Sequence, residues 1–123
     1  MLKVHAKNLG SVAVLCLRGR IVNGETATLR EAVNSQLNVN AVVLDLARVS
    51  TIDAAGLGVM LELRDQAESK GVRFQLMNVT TLVRRVLEVT RLDSVFEITS
   101  GREELAVTAQ GPQISAAQFA ACA

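Results

Sequence analysis

The chain has 123 residues, half of them hydrophobic, only three aromatic (Phe74, Phe96, Phe119), and a formal charge of +1. That length suits one domain with a real core, built from Val, Leu, Ile and Ala. The charge balance argues against a nucleic-acid binder that works by phosphate neutralisation, and the absence of Trp and Tyr removes the stacking platforms used on single strands.

The opening MLKVHAKNLG lacks the apolar segment of a signal peptide. No apolar run approaches the ~20 residues of a membrane span, so the chain reads as cytoplasmic, without membrane insertion. VHAKNL and VAVLCLRGRIV alternate as two strands, joined as a hairpin at Asn8 to Ser11. Val12, Val14 and Cys16 take one face of the second strand, and Ala13, Leu15 and Leu17 the other. Asn23-Gly24 breaks the chain. Ala27, Leu29, Val33 and Leu37 then recur at near-helical spacing, with Glu25 expected in the first turn, where a negative charge suits the helix dipole.

AVVLDL, Ala41 to Leu46, has the continuous apolar character of a strand buried on both faces. A helix opened by Asp53 is expected to run to about Lys70, with Gly71 as its C-terminal cap. VRFQLMNV alternates as a strand, and TTLVRRVLEVT is helical with Leu82, Val83, Val86 and Leu87 as its apolar stripe. VFEI reads as a short last strand and GREELAVTA as a final helix. A hairpin followed by strand-helix repetition predicts an α/β domain: a mixed sheet of about five strands flanked by about four helices. The domain is assigned to residues 1–108. The segment 109–123, with the only proline, is either a disordered tail or a short helix docked through Ile114 and Phe119.

Catalytic patterns are missing. The one histidine, His5, has no second His or Cys at ligand spacing, so neither a metal site nor a His-based nucleophile pairing is expected. Cys16 and Cys122 form no CxxC and are expected to be reduced thiols. Gly56-Leu57-Gly58 begins like a dinucleotide fingerprint, but Leu61 stands where the third glycine belongs. Of the paired carboxylates, Glu103 and Glu104 belong to a solvated helix start, and Asp45 and Asp53 bracket a strand end with no cleft implied between them. The chain is not expected to be an enzyme or to carry a cofactor. It reads as a binding or regulatory module.

The stretch STIDAAGLGVMLEL, 50 to 63, carries the clearest local signal. Asp53 is placed to cap the helix, and Ala54, Ala55, Gly56 and Gly58 leave its first turn without bulk. Such a tip suits either close packing on the sheet or the docking of a partner or anion.

AVVLDLARVSTIDAAGLGVMLELRDQAESKG, followed by FQLMNVTTLVRRVLEVTRLDSVFEI, resembles the STAS domain family, the anti-sigma factor antagonists. Its members show an apolar strand ending in Asp, an Asp-Ser-Ser-Gly or Asp-Ser-Ala-Gly turn, then Leu-Gly and a helix. A later pattern is met here by Val83, Leu87, Leu92 and Phe96. LRGRIVNGETATLREAV resembles the family's passage from the second strand into a helix, and the resemblance covers about residues 3 to 108.

The resemblance implies a partner switch. Such antagonists bind an anti-sigma factor, often a serine kinase of the histidine-kinase-like ATPase type. That kinase ends binding by phosphorylating the Ser or Thr directly after the Asp. Here that position is Ala54, which has no hydroxyl; Ala55 cannot replace it, and Ser50 and Thr51 lie upstream of the cap. The chain is then a permanently binding-competent form, a member of a branch without phospho-control, or an engineered alanine variant. The implied partner-binding residues are Asn23, Gly24, Asp53, Ala54, Ala55, Gly56, Leu57 and Gly58. Arg20 and Val22 depart from the acidic residues many antagonists carry in that loop. Two other family roles stay open, a subunit of a phospholipid-transport ABC system and a nucleotide sensor. Edge strands leave room for a homodimer without requiring one.

Overall fold

The computed structural model describes residues 1–36 and 38–99. The alternating segments form β1 (Lys3–Leu9) and β2 (Val12–Ile21), paired antiparallel from Lys3↔Arg18 to Leu9↔Val12. The expected hairpin is there, turning at Gly10-Ser11.

The first helix, α1 (Thr26–Asn34), buries Leu29 and Val33. Glu25 stands one residue before it rather than in its first turn, and its Oε1 accepts the Leu2 N–H at 2.8 Å. This carboxylate therefore ties the chain start to the helix start. Leu37, expected on the same helix, lies outside the described residues.

Strand β3 (Ala41–Ile52) runs six residues beyond the expected apolar segment. It pairs parallel to β2 from Val12↔Ala41 to Ile21↔Ile52, with register shifts between Cys16 and Arg18 and between Gly19 and Arg20. Exposed Ala47, Arg48 and Ser50 interrupt the apolar pattern there, although main-chain pairing continues.

Helix α2 (Ala54–Ser69) turns Gly56, Met60, Leu63 and Ala67 to the sheet at helical spacing. It ends as expected at Gly71, whose φ of +73° is costless only for glycine. The Gly71 N–H donates to the Glu68 carbonyl at 3.0 Å and the Val72 N–H to that of Ala67 at 2.8 Å, a Schellman ending.

Strand β4 (Arg73–Met77) pairs parallel to β3, and α3 (Thr81–Val89) follows, its Thr80 hydroxyl accepting the Val83 N–H at 3.3 Å. Val83 and Leu87 are buried, but Leu82 is 54 % exposed and leaves the expected stripe. At 100° per residue, Leu82 lies about 120° from the centre of a stripe defined by Val83 and Leu87, which puts it off the buried face. A 3₁₀ turn, Leu92–Ser94, precedes β5 (Glu97–Thr99). The last strand starts two residues later than expected. Val95 closes the turn on Leu92, and Phe96 enters the core 6.4 Å from Phe74 between ring centres.

The sheet order is β1-β2-β3-β4-β5, antiparallel in its first pair and parallel thereafter, which makes the expected mixed α/β sheet of five strands. Among the described residues there are three α-helices rather than about four. The fourth expected helix, GREELAVTA, and the tail 109–123 lie outside the described residues.

The main core lies between one sheet face and the helices, with Leu15, Leu17, Val42, Leu44, Leu76, Leu29, Met60, Leu63, Val83 and Leu87 all buried. The opposite face holds a smaller cluster of Val12, Val14, Ala41, Val43 and Met77, to which no described helix contributes a residue. Cys16 borders that cluster; Cys122, the other half of the expected pair of reduced thiols, lies outside the described residues. No helix among the described residues is long and apolar enough to cross a membrane.

Candidate functional site

Parallel pairing of β2 with β3 brings the ends of these strands, Ile21 and Ile52, side by side. Two connections leave from that point: the 22–25 loop into α1, and Asp53 into α2. The residues singled out in both connections therefore meet.

Asp53 joins them directly. Its backbone is extended, at φ −112° and ψ −175°, as an N-cap requires. Oδ1 accepts the Gly56 N–H at 2.9 Å, starting the helix. Oδ2 accepts the Asn23 N–H at 3.0 Å, fastening the loop to the same side chain. The Asp53 N–H in turn donates to the Ile21 carbonyl at 3.3 Å. The Asn23 N–H, then that of Gly56, holds the Asp53 carboxyl below its ordinary range, because each bond favours the charged form.

The small residues of the tip divide into two groups. Gly56 is buried, and a Cβ there would lie 2.0 Å from the Ile21 carbonyl oxygen. The backbone that approaches this glycine is the chain's own. Leu57, 8 % exposed, packs into the main core. Ala54, Ala55 and Gly58 face solvent, as do Asn23, Gly24 and Asp53, and a Cβ at Gly58 would meet nothing within 4 Å. The exposed surface is thus Asn23, Gly24, Asp53, Ala54, Ala55 and Gly58, while Gly56 and Leu57 support it from beneath.

Ser50 and Thr51 lie within β3 rather than in a loop, and the Ser50 hydroxyl donates to the Gly19 carbonyl at 3.3 Å. Neither occupies the first helical position, which belongs to Ala54. Arg20 is exposed and Val22 half-buried beside the loop. Sequence reasoning did not find the ion pair of Arg30 with Glu62, Nε to Oε2 at 2.9 Å, which ties α1 to α2 behind the tip. These residues are 32 positions apart, and no spacing rule connects them.

Asp45 and Asp53 do not form an acid pair. Asp45 is buried on the side of the sheet that no described helix covers, where Oδ1 accepts the Ala47 N–H at 3.0 Å and the Asn78 amide N–H at 3.4 Å. No group of three or more potential metal ligands occurs among the described residues.

A five-stranded mixed sheet, with a carboxylate-capped helix start and a loop meeting where β2 and β3 end, defines the class of domain to which this chain belongs. The chain is a member of the STAS domain family, whose model matches residues 3–105. Among its relatives is BtrV of Bordetella bronchiseptica, which carries the anti-sigma factor antagonist name. The two are 27% identical over 107 residues, spanning 85% of this chain and 92% of BtrV.

Among solved structures, an anti-sigma factor antagonist from Mycobacterium paratuberculosis superposes with a TM-score of 0.75 at 21% identity, covering 89% of this chain and 93% of that one. The unphosphorylated form of the anti-sigma factor antagonist SpoIIAA gives a TM-score of 0.69 at 21% identity, covering 85% and 93%. The chain is thus a STAS domain with the fold of these anti-sigma factor antagonists.

Proposed function

We propose that this chain binds an anti-sigma factor of the serine-kinase ATPase type through the start of α2 and the 22–25 loop, and that Ala54 removes phosphorylation from its control. The supporting observation is the double role of Asp53. One carboxylate organises two exposed segments into a single surface, and Ala54 begins the helix beside it. In a partner switch, phosphate at that position would add about −1.5 to −2 charge next to Asp53 and spoil the complementarity of the partner's surface. An alanine there keeps the surface in its binding state.

The test uses Gly58→Arg, because a side chain at Gly58 enters open space whereas one at Gly56 would strike the strand. In a pull-down from the native host, the wild-type chain is expected to recover an ATPase-fold kinase, and Gly58→Arg to lose it while keeping its circular dichroism and melting temperature. In parallel, Ala54→Ser incubated with the recovered kinase and ATP should gain one phosphate by mass, and the wild-type chain none. A folded Gly58→Arg variant that binds as wild type would place the docking face elsewhere.

A further inference from the structure

The side of the sheet that no described helix covers carries a charged arrangement that the docking tip does not use. Lys3 of β1 pairs with Arg18 of β2, and Arg18 pairs with Arg48 of β3. Three cations thus stand side by side across three neighbouring strands. Like charges directly opposite on a sheet repel and cost stability. Arg30, Arg64 and Arg73 have carboxylate partners, Glu62, Asp65 with Glu68, and Glu97, whereas among the described residues Arg20, Arg84, Arg85 and Arg91 stand singly without one and not in a row. Lys3, Arg18 and Arg48 are exposed, and none makes an ion pair or side-chain hydrogen bond.

The three line one pocket of 460 Å³ together with His5, Asp45 and Asn78. The register shift between Cys16 and Arg18 lets β3 present both Ala47 and Arg48 to it, the small residue leaving room beside the charged one. Among the described residues of the lining, the one carboxylate is Asp45, which is 4 % exposed and already accepts the Ala47 N–H. Among the described residues, three exposed cations thus face one inward-turned carboxylate, a positive balance.

We infer that the row of Lys3, Arg18 and Arg48 is a binding site for a phosphate group, carried by a small soluble molecule or by a lipid headgroup. Two guanidinium groups supply forked donors and the lysine a point charge, and the several oxygens of a phosphate engage donors that arrive from different strands. Binding would relieve the repulsion along the row, which gives an otherwise unfavourable register a function. None of these residues belongs to the Asp53 tip, so the site stands or falls independently of the proposed partner.

The experiment is an amide-resolved NMR titration of the full chain with pyrophosphate at low salt, beside flotation with vesicles containing phosphatidic acid. Saturable shifts at Lys3, Arg18 and Arg48 that weaken with added salt are expected for a soluble ligand. Co-flotation without pyrophosphate binding would assign the site to a headgroup, and either result supports it. Arg18→Gln with Arg48→Gln should weaken binding by about tenfold or more, since each removes a charge-assisted contact. Lys3→Gln alone should weaken it less, and Arg84→Gln with Arg85→Gln, on exposed positions of α3, should leave it unchanged. The inference is overturned if neither probe binds, if the Arg18 and Arg48 substitutions have no effect on a chain that keeps its dispersed spectrum, or if the α3 pair weakens binding equally.

Discussion

At Asp53 a single carboxylate both opens a helix and holds a loop, and acid should undo both. Its carboxyl sits below its ordinary value of 3.8, first through the Asn23 N–H and then through that of Gly56. Folding therefore favours the ionised form. The resulting stability is complete above 3.8 and is lost as the pH falls through the lower folded value. Asp53→Ala should melt below the wild-type chain by a constant margin at neutral pH, and the two curves should converge in acid below 3.8; thermal melts across pH measure this. Two glycines nearby should respond in opposite directions. Gly56→Ala forces a Cβ against the Ile21 carbonyl and should cost about 1–3 kcal/mol, as overpacking does. Gly58→Ala enters open space inside a helix and should gain about 0.8–1 kcal/mol from propensity. Urea denaturation of both variants tests the contrast.

The elements were legible where one force fixed them. Alternation gave away the hairpin, and β3 announced itself through AVVLDL, because both faces of its first six residues are buried. The cap at Asp53 and the ending at Gly71 were readable because each uses a residue type suited to one geometry. The second half of β3 was not readable. It is held by main-chain bonds to β2 while Ala47, Arg48 and Ser50 face outward, so no hydrophobic pattern marks it. Leu82 was misplaced for a related reason: a short helix tolerates one large apolar residue off its buried stripe. Leu87→Ala should cost about 2–5 kcal/mol in chemical denaturation, as other core truncations do. Leu82→Ala should stay within about 0.5 kcal/mol, as exposed substitutions do.

At the scale of the molecule, the order of strands and helices was enough to predict a mixed sheet, and STAS membership follows from motifs around the tip that the structure brings together. The individual residues of the tip were visible; the links between them were not. Nothing in the sequence says that Asn23 reaches Asp53, or that Ile21 lies beneath Gly56, since both depend on how β2 and β3 finish together. The same blindness hid the row of cations, whose members are spread from position 3 to position 48 and meet only through strand register. The central strands should be the last to exchange. Amides of 13–16 and 42–45 are flanked by pairing on both sides and buried on the helical face, so hydrogen exchange there should need global opening.

The shared carboxylate also makes the loop and the helix tip partners in one equilibrium. Lifting Asn23 away leaves Asp53 with a vacant oxygen, and fraying the helix loosens the anchor on which the loop rests. Whatever grips one segment must therefore steady the other, and by reciprocity an intruder that loosens either will be felt at both. A visitor touching only the loop would thus register as firmness at the start of a helix it never meets.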